Sequence, residues 1–411
     1  MSEKKRRSPL VIAFFTIFLD LLGFGIVIPV NSFYVESLGA TPMTVTLLSA
    51  SYSLMQFAFS PFWGRLSDRV GRRPVILISV AFSAIGHLIF GLSGTIFMVF
   101  AARILAGFGN ANLGTAQAII SDSTTRENRA KGMGIIGAAF GLGFLFGPAI
   151  GGFAGQYSPQ APALVAAGLA VVNFFLAYFF LPETRTQETL ANNNHHTRVF
   201  SLDALRRVAS LPNVSTILKI SFINTAAFAM FEVVIGLMME RSYLPLDDKG
   251  SHEHIAAAAR LTAWFLVTVG IMAVIVQGGL IGRLNKKFGE IKLIHFGLVA
   301  MTISVAAMPV FAAQFTYPAM LILAALLAVG TGVFNPSQSA LISKSAPQNE
   351  QGEVLGLNQS MSALGRVAGP VASGWLFERQ MGFPFYVAAM MSAIALVLSL
   401  QLKPQEPTNI R

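Results

Sequence analysis

The chain of 411 residues is 54% hydrophobic and only 12% charged, with a mean hydropathy of +0.63. This composition excludes an ordinary soluble enzyme and is typical of a protein that crosses a membrane many times. The chain has no cysteine, which excludes disulfides and thiol chemistry, and its net charge of +10 has to be explained by topology or by an acidic partner.

Apolar runs long enough to cross a bilayer recur along the whole chain, since about 20 apolar residues in a helix span the hydrocarbon core. The predicted spans are 9–33, 42–62, 75–93, 95–121, 132–155, 160–181, 213–239, 258–282, 291–312, 316–342, 353–378 and 384–402. We therefore predict an all-α membrane protein with twelve transmembrane helices. The sequence shows no phosphate-binding loop, metal cluster or nucleophile–base set, so we expect no enzymatic reaction, no metal and no cofactor.

The basic residues predict the orientation of these spans. Most of the 29 lysines and arginines fall at the N-terminus, at the C-terminus and in alternate turns, on one side of the membrane. The opposite side has only Arg241, Lys249, Arg260 and Arg379. By the positive-inside rule both termini are cytoplasmic. Topology thus accounts for the net charge, and we expect no nucleic-acid partner.

Four ionisable residues inside the spans are the main candidates for function: Asp20, Arg103, Glu232 and Arg366. Charges within a bilayer are costly and usually face a cavity or a partner. Arg103 needs a counter-charge, for which Asp20 is the natural candidate; the alternative is a static ion pair that fixes helix register. Glu232 could bind a cationic substrate, carry a proton or pair with Arg366. We assign Asp20, Arg103 and Glu232 to proton coupling.

Uncharged polar residues on several spans are predicted to line a substrate cavity together with Glu232 and Arg366. These residues are Asn31, Gln56, Asn110, Asn112, Gln117, Asn224, Asn335, Gln338 and Asn358. Glu36, at the outer end of the first span, is expected to be solvated. His87, in the third span, is expected to be packed or to reach toward the interface rather than to carry protons.

The loop after the second span, from Gly64 to Pro74, is unusually dense in charge. Its functional positions are predicted to form a conformational latch with the acid at the end of the fourth span: Gly64, Asp68, Arg69, Gly71, Arg72, Arg73 and Asp122. The loop resembles the signature Gly-x-Leu-x-Asp-Arg-x-Gly-Arg-Arg of the major facilitator superfamily, at the same place in the chain. The stretch 282–290 repeats it in the second half, but Lys286 replaces the aspartate, so we expect the second latch to be degraded.

The fifth span is rich in glycine around a proline, a pattern that allows close helix packing and bending. Its motif positions, with their counterparts in the eleventh span, are Gly143, Gly147, Pro148, Gly151, Gly152, Gly369 and Pro370. The first copy resembles the signature of the drug:proton antiporters of the superfamily. Within that group the N-terminal half is most similar to tetracycline efflux proteins, and the C-terminal half is less similar.

The resemblance implies the major facilitator fold, with two pseudo-symmetric six-helix bundles that rock about a central site. The predicted domains are 1–184, a cytoplasmic linker 185–212 with an amphipathic helix, and 213–411. The resemblance also implies a monomer in the lipid bilayer of the bacterial inner membrane, which uses the proton gradient to export small, amphipathic or drug-like solutes by alternating access. The alternatives are a symporter or facilitator for a metabolite or lipid, and a membrane sensor that does not transport.

Overall fold

The computed structural model describes residues 9–110, 113–124, 129–184, 211, 213–245, 251–345 and 351–403. These residues form helices and connecting turns, without a strand among them. In chain order the helices are α1 Pro9–Ser37, α2 Pro42–Val70, α3 Arg72–Gly91, α4 Ile96–Gly109, α5 Leu113–Asp122, α6 Arg129–Ala154, α7 Ala161–Phe180, α8 Val214–Tyr243, α9 His252–Ala273, α10 Ile281–Phe288, α11 Glu290–Gln314, α12 Tyr317–Ser345, α13 Gln351–Arg379 and α14 Phe383–Ser399.

Each predicted span corresponds to helix in the structure. The fourth span consists of α4 and α5, and the eighth continues from α9 through a π-helical segment, Val274–Leu280, into α10. By length and hydropathy alone, eight helical stretches of the described residues qualify as membrane spans, and α6 and α14 contribute shorter apolar stretches. Helices α2 and α13 are long enough but more polar, because α2 ends in the charged loop and α13 carries Arg366.

The described residues group into two compact units. The first unit includes those of Met1–Thr197 and Met239–Gly270, and the second includes those of Arg198–Met238 and Ile271–Arg411. In the first unit α1 packs on α6 and α7, and α3 packs on α4 and α7; in the second, α11 packs on α12 and α14. The C-terminal end of α8 and most of α9 thus group with the first unit. The predicted domain boundaries remain a prediction, because most of the linker lies outside the described residues.

Glycines allow α6 to approach α1 at backbone distance. A Cβ added to Gly147 would lie 2.8 Å from the Cα of Gly25, and one added to Gly151 would lie 2.0 Å from the carbonyl oxygen of Ile26. Neither distance is possible for a real side chain, so alanine at these positions would force the helices apart. This contact is the kind that holds helices together in lipid, where packing replaces the hydrophobic driving force.

The second unit repeats this arrangement between α13 and α8. A Cβ added to Gly369 would lie 2.3 Å from the carbonyl oxygen of Ala226, and one added to Gly365 would lie 2.8 Å from that of Phe222. One turn beyond Gly369, the hydroxyl of Ser373 donates to the carbonyl oxygen of Met230 at 2.5 Å. The serine that departs from the glycine pattern therefore adds a hydrogen bond between the two helices.

The expectation that Glu36 is solvated is wrong. Its side chain is 4% exposed and accepts from Nη2 of Arg241, on α8, at 3.1 Å. The neighbouring Glu240 is 2% exposed and contacts Nε2 of His254, on α9, at 2.9 Å. Both pairs lie within the first unit, which includes the end of α8 and most of α9. Sequence position alone missed this because Arg241 is 205 residues away from Glu36.

Candidate proton and substrate site

Asp20 lies on the strip of α1 that faces α3 and α7. One turn before it, the carbonyl oxygen of Thr16 accepts from Nδ2 of Asn173 on α7 at 3.0 Å. One turn after it, a Cβ added to Gly23 would lie 3.7 Å from Nε2 of His87 on α3. Residues three and four apart share a helix face, so Asp20, whose side chain is partly buried, lies along α1 between these two contacts. This position fits the predicted role of Asp20 as a membrane-interior acid.

Arg103 is buried in α4, with 8% of its surface exposed. Its guanidinium carbon lies 5.0 Å from the ring centroid of Phe90 on α3, a cation–π contact. Its Nε is buried and has no hydrogen-bond partner among the described residues. The structure thus gives Arg103 an aromatic neighbour, and its predicted pairing with Asp20 remains a prediction.

The predicted cavity residues of the first unit form part of a hydrogen-bonded network. The carbonyl oxygen of Asn110 accepts from Nε2 of Gln56 at 3.1 Å, and its side-chain Oδ1 accepts from Ser83 at 3.2 Å. Asn31 is buried, and its Oδ1 has no hydrogen-bond partner in the part of the chain that the structure describes. Asn112 and the side chain of Gln117 lie outside the described residues, so their predicted places in the cavity stay predictions.

In the second unit a polar cluster joins α8, α12 and α13. The hydroxyl of Ser221 hydrogen-bonds to Oδ1 of Asn358 and accepts from Nε2 of Gln338. The sequence predicted Asn358 and Gln338 but missed Ser221, although its position one helical turn before Asn224 was a signal. Asn224 itself is buried. Asn335 is exposed on α12, and its predicted place in a cavity remains a prediction.

Glu232 on α8 and Arg366 on α13 belong to the same unit and are both partly buried. The guanidinium of Arg366 is close enough to attract the Glu232 carboxylate electrostatically. The two helices that carry them are held together at Gly365 and Gly369, on either side of Arg366. The structure therefore places the acid and the base of the second half on two contacting helices, and their direct pairing stays a prediction.

The predicted latch residues converge on Arg72, the first residue of α3. Its Nη1 lies 2.8 Å from Oδ1 of Asp68, and its Nε lies 3.3 Å from Oδ2 of Asp122 at the end of α5. Nη1 also donates to the hydroxyl of Ser67 at 2.7 Å. The Arg72 side chain is only 10% exposed, so this guanidinium links α2, α3 and α5 from a buried position. Arg69 is exposed, and a Cβ added to Gly64 would have no described atom within 4 Å.

Glu183 completes this cluster and was missed from the sequence. Its carboxylate accepts from the backbone N–H of Arg72 at 2.9 Å and from that of Arg73 at 3.1 Å, at the N-terminus of α3. A negative charge at this end of a helix is stabilised by the free N–H groups and the helix dipole. Gly71 has a φ of +102°, and a Cβ there would lie 2.4 Å from Oε2 of Glu183. Arg73 donates to the carbonyl oxygen of Tyr178 on α7.

The second-half loop keeps one ionic link, although Lys286 stands where the first-half loop has its aspartate, and the degraded latch stays a prediction. Lys286, in the place of the aspartate, is exposed. Glu290, the first residue of α11, instead contacts Nζ of Lys344 near the end of α12 at 2.5 Å. Glu290 and Lys344 occupy positions equivalent to those of Arg72 and Asp122, with the charges reversed. The acid is now the first residue of a helix, and the base lies near the end of another. Asn285 adds a hydrogen bond from the hydroxyl of Ser337 at 3.2 Å.

Comparisons with known proteins agree with this geometry. The family model described as Major Facilitator Superfamily matches residues 13–366 and 252–411. Multidrug resistance protein 1 of Bacillus subtilis is 29% identical over 97% of this chain and 97% of its own length. The class G tetracycline resistance protein of Vibrio anguillarum is 31% identical over 92% of each chain.

A solved structure supports the same fold. The crystal structure of the human organic anion transporter MFSD10 covers 97% of this chain and 100% of its own, with a TM-score of 0.72 at 19% identity. At 19% identity this structural similarity supports the fold alone. Together with the family match, the helix order and the paired glycine–proline helices, it confirms the predicted architecture. The chain belongs to the Major Facilitator Superfamily.

Proposed function

We propose that the protein is a proton-coupled exporter of small, amphipathic, drug-like solutes. The observation that carries the proposal is Asp20, a partly buried carboxylate within α1, one helical turn before Gly23, where α1 meets His87 on α3. An acid at this depth is costly unless it is used, and proton relays in transporters are built from such residues. The relatives named for multidrug and tetracycline resistance support the direction and the class of solute.

In this proposal each unit supplies one ionisable site. Asp20 takes up a proton from the outer side, which removes its charge and changes its interaction with the basic groups near it. Glu232, attracted by Arg366, is held where a cationic group of a solute or a second proton can neutralise it. Alternating access follows when the occupancy of these sites favours one of two arrangements of the bundles.

The proposal includes the setting of the protein. It is a monomer of a bacterial inner membrane with both termini in the cytoplasm, as the distribution of lysine and arginine predicts. The proton gradient supplies the energy, without a cofactor. The latch around Arg72 then lies on the cytoplasmic face, and the pair of Glu36 and Arg241 lies on the opposite face.

The test is an efflux screen in cells that overproduce the protein, with tetracycline and a panel of lipophilic cationic dyes as probes. We expect the wild type to lower the accumulation of at least one probe, and Asp20→Asn to abolish that effect at equal membrane abundance. Glu253→Gln, at an exposed acid on α9, is the matched control and should export normally. Equal efflux by Asp20→Asn and the wild type would refute coupling at this carboxylate.

A further inference from the structure

We propose that a groove between the first turns of α8 and α13 binds one anionic phospholipid, with the phosphate at Lys219 and an acyl chain along the apolar wall. The groove is a cavity of about 350 Å³ within the second unit. Five of its lining residues lie on α8 and one lies on α13: Ser215, Leu218, Lys219, Phe222, Ile223 and Met361. Lipid binding here does not depend on the proposed function.

The polar and the apolar side chains of the groove follow one another along α8. Ser215 and Lys219 are four residues apart, so they share a helix face, and they lie toward the start of the helix. Phe222 and Ile223 continue that face one turn deeper, and Met361 lines the groove from α13. A hydroxyl and an ammonium at one end and apolar side chains at the other match a phospholipid, whose headgroup is polar and whose chains are apolar.

The charge of Lys219 favours an anionic headgroup. Its side chain is exposed and makes no hydrogen bond or ion pair with the residues that the structure describes. Lys344, near the end of α12, differs in this respect because it contacts Glu290. The Lys219 ammonium is therefore available to a phosphate, which accepts charge-assisted hydrogen bonds from lysine. The hydroxyl of Ser215, on the same face, can donate a second one.

The position of Lys219 along α8 matches the depth of lipid phosphates. It is the sixth residue of the helix, which places it about 7–8 Å along the axis from Val214. Helical side chains tilt toward the N-terminus, and a lysine stem can lie on apolar surface while its ammonium reaches the interface. The positive-inside rule predicts that this end of α8 is cytoplasmic. Basic pockets between helices on that side of a membrane bind anionic headgroups.

The groove is held open by contacts between α8 and α13. Beside it, the hydroxyl of Ser221 hydrogen-bonds to Oδ1 of Asn358, one turn before Met361. One turn after Met361, a Cβ added to Gly365 would lie only 2.8 Å from the carbonyl oxygen of Phe222. The two helices are thus fixed to each other on both sides of Met361. A site formed in advance loses less entropy when it binds a flexible acyl chain.

The experiment is native mass spectrometry of the purified full-length protein, titrated with phosphatidylglycerol or with phosphatidylcholine of identical acyl chains. We expect the wild type to bind phosphatidylglycerol about fivefold more tightly, the factor that one basic residue near a headgroup contributes. Lys219→Gln should abolish this preference, and Lys219→Arg should keep it. Lys292→Gln, at an exposed lysine in the first turn of α11, is the matched control and should keep it too.

A second variant tests the apolar wall. Met361→Trp fills the groove without changing its charge, and we expect it to weaken the binding of both lipids by a similar factor. An unchanged preference in Lys219→Gln would overturn the assignment of the headgroup, and unchanged binding in Met361→Trp would overturn that of the chain. Excess inorganic phosphate should not displace the lipid, since it gains nothing from the apolar wall. Displacement by phosphate, or by tetracycline as a drug-like solute, would overturn the proposal.

Discussion

The two loops that follow the second and the eighth spans occupy equivalent places in the repeat but hold charge in different ways. In the first half the Arg72 side chain is 10% exposed and contacts two carboxylates and a hydroxyl. In the second half Glu290 contacts Lys344, whose side chain is 58% exposed. A buried guanidinium must keep its partners, whereas an exposed ion pair contributes little. Both loops therefore link equivalent helices, and we expect the link in the first half to contribute more to stability.

The difference also lies at the helix start. Glu183 binds the first N–H groups of α3, whereas at the start of α11 the acid is Glu290 itself, in the first turn of the helix. Both helices follow a glycine with positive φ, Gly71 at +102° and Gly289 at +76°. A Cβ at Gly71 meets Glu183, whereas a Cβ at Gly289 meets no atom of the described ranges within 4 Å. The backbone turn is thus common to both loops, and the surrounding contacts are specific to the first.

The largest effect is expected at Arg72. Replacing it with glutamine leaves Asp68 and Asp122 without the cation between them, and we expect a loss of about 2–3 kcal/mol in unfolding free energy, below the full penalty for a buried charge because both carboxylates are partly exposed. The measurement is thermal and denaturant unfolding of the purified protein in detergent. Arg69→Gln, at an exposed arginine in the same loop, is the control. An equally small change in both variants would contradict the asymmetry between the loops.

A matched pair of glycine variants isolates the second difference. Gly289→Ala should lose about 1 kcal/mol, the penalty of a positive φ for a side chain, and Gly71→Ala should lose about 2–3 kcal/mol because the Cβ also displaces Glu183. Unfolding midpoints under identical conditions give the comparison. Combining Gly71→Ala with Glu183→Ala should then recover part of the loss. If Gly71→Ala were the milder variant, the contact with Glu183 would not matter.

The smallest effect is expected at the ion pair of Glu290 and Lys344. Lys344→Ala should change the unfolding free energy by less than about 1 kcal/mol, and salt should weaken even that, since the ammonium is largely in solvent. The same variant in 50 mM and 500 mM salt, concentrations on the order of those where screening becomes strong, provides the check. A loss as large as that of Arg72→Gln would mean that both loops are equally important.

The sequence predicted the helices well because the apolar runs and the turns are local signals. The close packing of the glycine–proline helices could also be predicted, since small residues at helical spacing indicate it whatever the partner helix is. The residues that they contact could not be predicted. Glu183 lies 111 residues from Arg72, and Ser221 lies 137 from Asn358, so their contacts depend on tertiary structure. The ion pair of Glu290 and Lys344 could not be predicted from the loop for a similar reason, because Lys344 lies on another helix.

The most direct test of proton coupling uses proteoliposomes with a trapped pH-sensitive dye. The probe is the compound that the wild type exports most strongly in the cell panel. Wild-type protein should move protons against the probe and should accumulate the probe against its gradient when a pH gradient is imposed. Asp20→Asn should do neither, while still exchanging labelled for unlabelled probe across the membrane. Gradient-driven accumulation by Asp20→Asn at the wild-type rate would contradict the assignment of proton coupling to this carboxylate.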